Sequence, residues 1–291
     1  MDRPADRRLQ SRMGLALALT LVGYGVLLWF VFALLPPTAA LVTCGVFVIV
    51  LVAAITQADR IAYWATKAIA IDRDQYPLVD DITDRLARQA DTPRPPVAVI
   101  PSAEANALSA GTGDRTVICV TTGLLKALDE DELEAVLAHE LAHLKNSDST
   151  VMTVAGFPMT VAAIGLSTAG RTFRSTSILI GVPFWIGLYL LFVAVPIYVA
   201  SLPGTLALSR YREYAADRGA VAITGDPFAL ASALATLHSE SSPSDTDLRS
   251  VAAFNAFCTV PTDSMFPVAT HPPTHKRIER LRTEFVDREL R

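Results

Sequence analysis

Two long uncharged apolar runs near the start of the chain restrict its fold more than any other feature. Met13–Leu35 carries no charge and is long enough to span a bilayer as one helix. It is too long for the apolar core of a signal peptide, and no small-residue cleavage site follows it. Pro36-Pro37 breaks the run, and Thr38–Thr56 supplies a second. The pair predicts a helical hairpin, and Arg3, Arg7, Arg8 and Arg12 ahead of it place both its ends on the cytoplasmic side. Two further apolar stretches occur at Val151–Ala169 and Ile178–Leu208, separated by Gly170–Ser177 with Arg171 and Arg174. The second contains Pro183, Pro196 and Pro203, each expected to kink or break a helix. Two crossings and a shallow re-entrant hairpin both fit this pair. Hydrophobic residues make up 51% of the chain and charged residues only 19%, below the usual quarter, so the apolar excess lies in these blocks.

Between the apolar blocks lies a polar stretch, Gln57–Asp148. Within it, His139-Glu140-Leu141-Ala142-His143 is an H-E-x-x-H motif. Asp129 and Glu132 have the spacing of a capping box, and Leu133, Val136, Leu137, Leu141 and Leu144 recur every three or four residues, so the motif lies on a helix. Imidazoles four apart on a helix stand one turn above each other and can converge on one metal ion. Glu140 can lean toward a metal-bound water without itself ligating, and so serve as general base in peptide hydrolysis. Two imidazoles and a carboxylate with an open fourth position suit zinc, one ion per chain. A chance pair of histidines is the competing explanation, and a third ligand decides between them.

Ser209–Asp217, after the last apolar stretch, offers Glu213 and Asp217 four residues apart. Read alone, these fit an exposed helix with Arg210, Arg212 and Arg218 in solvated ion pairs. Together with the motif, Glu213 becomes the carboxylate ligand and Asp217 the acceptor that fixes a histidine tautomer. Glu213 follows His143 by 70 residues of mostly apolar sequence, so the number of membrane crossings between them must be even.

Elsewhere, Tyr76–Ala90 reads as an amphipathic helix with Leu78, Ile82 and Leu86 on its apolar side. Strands are expected at Val97–Ile100, near Asn106–Ala110, and at Val117–Thr121, with a turn at Gly111–Asp114. Asn106, Ala107, Leu108, Ser109 and Ala110 are candidates for an edge strand that holds extended substrate by backbone pairing; an ordinary hairpin strand fits the same residues. Asp226-Pro227 opens a helix to about His238, Ser239–Asp247 reads as a loop, and Thr274–Glu289 as a final helix. His271, just before it, is a candidate oxyanion donor or a simple cap. His238 and His275 read as surface residues. Cys44, Cys119 and Cys258 lack ligand spacing and read as small buried hydrophobes. The net charge of −4 and the absence of a basic stripe argue against nucleic acid.

The order of these motifs resembles the HtpX-like membrane zinc metalloproteases, relatives of the type I CAAX prenyl proteases. His139–His143 and Arg212–Asp217 are similar to the family's zinc motifs. Asn106–Gly111 resembles its N-A-F-A-T-G segment, with Leu108, Ser109 and Ala110 where Phe, Ala and Thr are usual. Thr121–Leu125 resembles its T-x-G-L-L turn, and His271–Ile278 its H-P-x-x-x-x-R-I pattern. The resemblance implies His139, His143 and Glu213 as zinc ligands, Glu140 as base, Asp217 behind a ligand, and endoproteolysis in membrane-protein quality control. Its expected substrates are unfolded or membrane polypeptides.

The fold class expected is therefore a mainly α integral membrane protein, with about four membrane helices and a gluzincin-type α+β protease domain holding a small sheet. The expected division is a membrane hairpin over 1–56, the first part of a cytoplasmic protease domain over 57–150, a second hairpin over 151–208, and the rest of the protease domain over 209–291. A multi-pass cell-membrane location follows. A CAAX-type prenyl-protein protease and a non-catalytic membrane scaffold with structural zinc are the alternatives; Glu140 beside the site argues against the second, since structural zinc normally closes its fourth position with Cys or His.

Overall fold

The computed structural model describes residues 7–71, 74–175, 182–240 and 272–289. They form two compact units. The first takes the chain up to Ala53 together with Met152–Tyr211; the second takes Ala54–Val151 and resumes at Arg212.

Among the described residues, four helices are long and apolar enough to cross a membrane: α1 (Arg7–Leu34), α2 (Pro37–Thr56), α7 (Asp148–Ser175) and α8 (Val182–Thr224). In the first unit Leu27, Phe30, Val31, Phe157, Ala163, Ile197 and Tyr198 pack together, while Leu21, Trp29, Ile49 and Phe192 stay exposed. An apolar surface of this extent suits lipid as the solvent. Of the kink or break expected at the prolines, the break does not occur: α8 runs unbroken for 43 residues with Pro196 and Pro203 inside it. Each proline removes one backbone bond, and in an apolar segment the chain has no polar alternative to remaining helical. Of the link expected at Gly170–Ser177, residues 170–175 are helical, because α7 continues through Arg171 and Arg174 to Ser175.

The second unit is built on a four-stranded sheet of order β1-β2-β4-β3: β1 Ile69–Ala70, β2 Val97–Ile100, β3 Ala107–Thr112 and β4 Arg115–Thr121. β2 and β4 are parallel; the outer pairs are antiparallel. The expected turn at Gly111–Asp114 narrows to Gly113-Asp114, since Thr112 already pairs with Arg115. Gly111 lies within β3 at φ +106°, where a Cβ would fall 1.9 Å from the Arg115 carbonyl oxygen, so only glycine fits.

Side chains alternate across the sheet. Ala98, Ile100, Leu108, Ala110, Val117 and Cys119 bury against α3 (Ala58–Thr66). Val97, Val99, Ile118 and Val120 face the main core, shared with α4 (Pro77–Gln89), α5 (Leu124–Ala127), α6 (Glu130–Lys145), the end of α8, α9 (Pro227–Glu240) and α10 (Thr274–Glu289). On α4 the large apolar side chains that are buried are Val79, Ile82 and Leu86, and Leu78 is exposed. The expected stripe at Leu78 is therefore displaced by one residue, because the three-residue step Val79–Ile82 follows the 3.6-residue turn as well as a four-residue step does.

Candidate metal-dependent active site

The motif helix α6 is capped from both directions. Asp129 accepts from the Glu132 amide at 2.8 Å, and the Glu132 carboxylate accepts from the Asp129 amide at 3.3 Å. The other oxygen of Glu132 accepts from Ser232 and Thr236 of α9, so one acid both starts the helix and ties it to its neighbour. At the far end the chain reverses through Asn146 and a left-handed Ser147 (φ 54°) directly into α7. That tight reversal returns Asp148 to the histidine face of α6.

Helix α8 reaches the same face by close approach. A Cβ on Gly219 would lie 2.6 Å from that of Ala142, so α8 meets α6 through two residues with almost no side chain. Ala216 and Ala220 beside it are also fully buried. This contact carries Glu213 and Asp217 to the histidines.

His139, His143 and Glu213 each present a ligating atom, all within 4.8 Å of one another and all buried. The two Nε2 atoms are 3.1 Å apart. Glu213 Oε2 lies 3.7 Å from Nε2 of His139, and Oε1 lies 3.7 Å from Nε2 of His143. A tetrahedral ion about 2.0–2.1 Å from each ligand sets such atoms about 3.3–3.4 Å apart, so the spacing fits. The donor set points the same way. His143 Nδ1 lies 2.6 Å from Asp148 Oδ2 and His139 Nδ1 lies 3.1 Å from Asp217 Oδ1, so both rings turn Nε2 toward each other. One cation shared between the two Nε2 atoms fits that arrangement.

Each carboxylate behind a histidine is itself met by a buried arginine. Arg212 Nε lies 3.3 Å from Asp148, and Arg277 of α10 grips Asp217 through Nε at 2.9 Å and Nη2 at 2.5 Å. Arg277 also reaches Glu213 Oε2 at 3.1 Å through Nη1, and stacks its helix on α8 through Arg280 over the Tyr214 ring. Formal charges decide what the cluster lacks. With both imidazoles neutral, as ligation requires, Glu140, Asp148, Glu213 and Asp217 are opposed by Arg212 and Arg277, leaving two negative charges that match one divalent cation.

Burial alone would depress the imidazole of His139, but Asp217 and Glu213 outweigh it and raise its pKa to about 9. Burial alone would raise the Asp217 carboxyl, yet Arg277 and His139 hold it below its ordinary value. The guanidinium of Arg277 is driven further toward the charged form by Asp217 and Glu213, against its own burial.

Glu140 is buried beside this group, and its Oε2 accepts from the Ser109 hydroxyl at 2.7 Å. Ser109 belongs to β3, at the edge of the sheet. The structure thus brings together His139, Glu140, His143, Glu213, Asp217 and Ser109, with Ala107, Leu108 and Ala110 on the same edge strand and Asn106 just before it. His271 lies outside the described residues. His238 and His275 are exposed, and Cys119 is fully buried. Sequence reasoning passed over Asp148, Arg212 as a buried partner, the grip of Arg277 and the approach at Gly219. Asp148, five residues beyond His143 across a two-residue turn, was the one with a local signal.

Fold and site together define a membrane metalloprotease. Residues 74–285 match the model of peptidase family M48, and the chain belongs to that family. It is 39% identical to "Protease HtpX homolog 1" of Streptomyces coelicolor, over 95% of this chain and 93% of that one. It is 38% identical to "Protease HtpX homolog 2" of Methanosarcina mazei over 77% and 78% of the two chains, and 37% identical to "Protease HtpX homolog" of Moorella thermoacetica over 77% of each. A family of metalloproteases implies a metal cofactor, and the His139, His143 and Glu213 cluster suits one.

Proposed function

We propose that the protein is a zinc endopeptidase of the cell membrane that cleaves unfolded or membrane polypeptides as part of membrane-protein quality control. The carrying observation is the triangle of His139 Nε2, His143 Nε2 and Glu213 with Glu140 buried beside it. One zinc ion per chain, held by those three residues, would activate water and polarise the peptide carbonyl. Glu140 then takes a proton from the attacking water and delivers it to the leaving amine. Asp148 and Asp217 stand behind the ligand rings, and Arg277 holds Oε2 of Glu213 in place. An extended substrate pairs with β3 over Asn106–Ala110, and strand addition requires only backbone groups, which suits many sequences. His271 is assigned to the oxyanion.

In the bilayer, α1, α2, α7 and α8 each cross, with the protease domain on the cytoplasmic side. Two lines of support are the basic N-terminus and the even number of crossings that joins His143 to Glu213 within one unit. The test is digestion of casein by detergent-purified protein, comparing wild type with Glu140→Gln at equal zinc content. Cleavage lost in the variant while zinc is retained supports the reading; equal cleavage by both sinks it. The general-base contribution predicts a loss of about 10²–10⁴-fold.

A further inference from the structure

We propose that Ser109 is the positioning residue of the general base and links the edge strand to the chemistry. This inference rests on the reading of Glu140 as that base. Ser109 Oγ donates to Glu140 Oε2 at 2.7 Å, and the two side chains are buried, at 1% and 8% exposure. The donor stands on a rigid support. Ser109 pairs with Ile118 in the β3–β4 ladder, and its neighbours Leu108 and Ala110 point to the opposite face, into the core against α3. A glutamate on a helix has three rotatable side-chain bonds, so a fixed donor on one oxygen selects one rotamer and leaves Oε1 as the proton acceptor.

The location of Ser109 adds a second consequence. β3 is the outer strand of the sheet, and on the substrate-strand reading above a peptide pairs along it, while the Ser109 side chain holds the base. Peptide register and base position are therefore referenced to one residue. Removing the hydroxyl leaves the backbone ladder intact, so it impairs the chemical step and spares peptide binding.

The experiment uses the full chain in detergent with zinc restored, a fluorogenic casein-derived peptide as probe, and four readouts: kcat, KM, zinc content and melting temperature. Ser109→Ala is expected to lower kcat about tenfold, the scale of one hydrogen bond to a charged group, with the other three readouts at wild-type values. Ser109→Thr, which keeps the hydroxyl on a strand-favouring residue, is expected to restore kcat to within about threefold of wild type. An unchanged kcat in Ser109→Ala overturns the inference. So does a kcat loss matched by zinc loss, or a Thr variant as slow as the Ala variant. Glu140→Gln is measured alongside. If it cleaves normally, the reading of Glu140 fails and takes this inference with it; if it is inactive while Ser109→Ala is normal, only this inference falls.

Discussion

Two arms of the site use the same three residue types and do different work with them. In one, His143 meets Asp148 at 2.6 Å, and Arg212 stands behind at 3.3 Å without an aligned hydrogen bond. In the other, Asp217 gives both oxygens to Arg277, and Nδ1 of His139, though 3.1 Å away, is left without an aligned partner. The first carboxylate serves its histidine; the second serves mainly its arginine, and through it the attachment of α10. A shared list of residues therefore says little about function until directions are known. The difference also follows from sequence distance. Asp148 is five residues from His143 and is placed by a local turn, whereas Asp217 must answer to Arg277, 60 residues away.

The largest expected effect comes from breaking the local arm. Asp148→Ala frees the His143 ring and strands Arg212 without its buried counter-charge, a loss of about 3–5 kcal/mol in stability for a broken buried pair. Urea unfolding would measure it, and wild-type stability would show that Arg212 finds another partner.

Next in size is the contrast between Asp148→Asn and Asp217→Asn. Loss of a carboxylate behind a ligand histidine lowers metal affinity by about 10–100-fold. Asp148→Asn should reach that range in a chelator competition, and Asp217→Asn should fall short of it because Nδ1 of His139 makes no aligned hydrogen bond to its acid. Equal losses would erase the distinction between the arms.

A third effect is a pH dependence of the metal-free protein. His139 has a folded-state pKa of about 9 against an ordinary 6.5, so its protonated form stabilises the fold. That contribution is whole below pH 6.5 and disappears as pH rises through 9. Chelator-treated protein should therefore melt at a lower temperature at pH 9 than at pH 6, and a metal ion at the site, by replacing the proton, should flatten the slope. A slope unchanged by zinc would place the titration elsewhere.

Much of this was readable in one dimension. The capping box, the period of α6 and the length of the apolar runs are local properties, and the helices they predict are present. Three of the four strands were readable for the same reason, since alternation and glycine turns act over a few residues; the two-residue β1 at Ile69–Ala70 was not, because it has no period of its own and exists only by pairing with β2. Where local rules erred, tertiary surroundings decided. The prolines of α8 did not end the helix, and the buried side of α4 began at Val79 rather than Leu78. Arg212 illustrates the limit most clearly: by composition it belongs to a charged, exposed-looking stretch, yet it is buried against Asp148.

The sequence by itself determined that the chain is apolar in four helical blocks and that two histidines share a helix face with an acid between them, because hydrophobic period and capping depend only on neighbours along the chain. Which acids and arginines surround those histidines was decided by the tertiary structure alone. That choice depends on Gly219 meeting Ala142, on the reversal at Ser147 and on the docking of α10, contacts between residues far apart whose geometry no local rule contains.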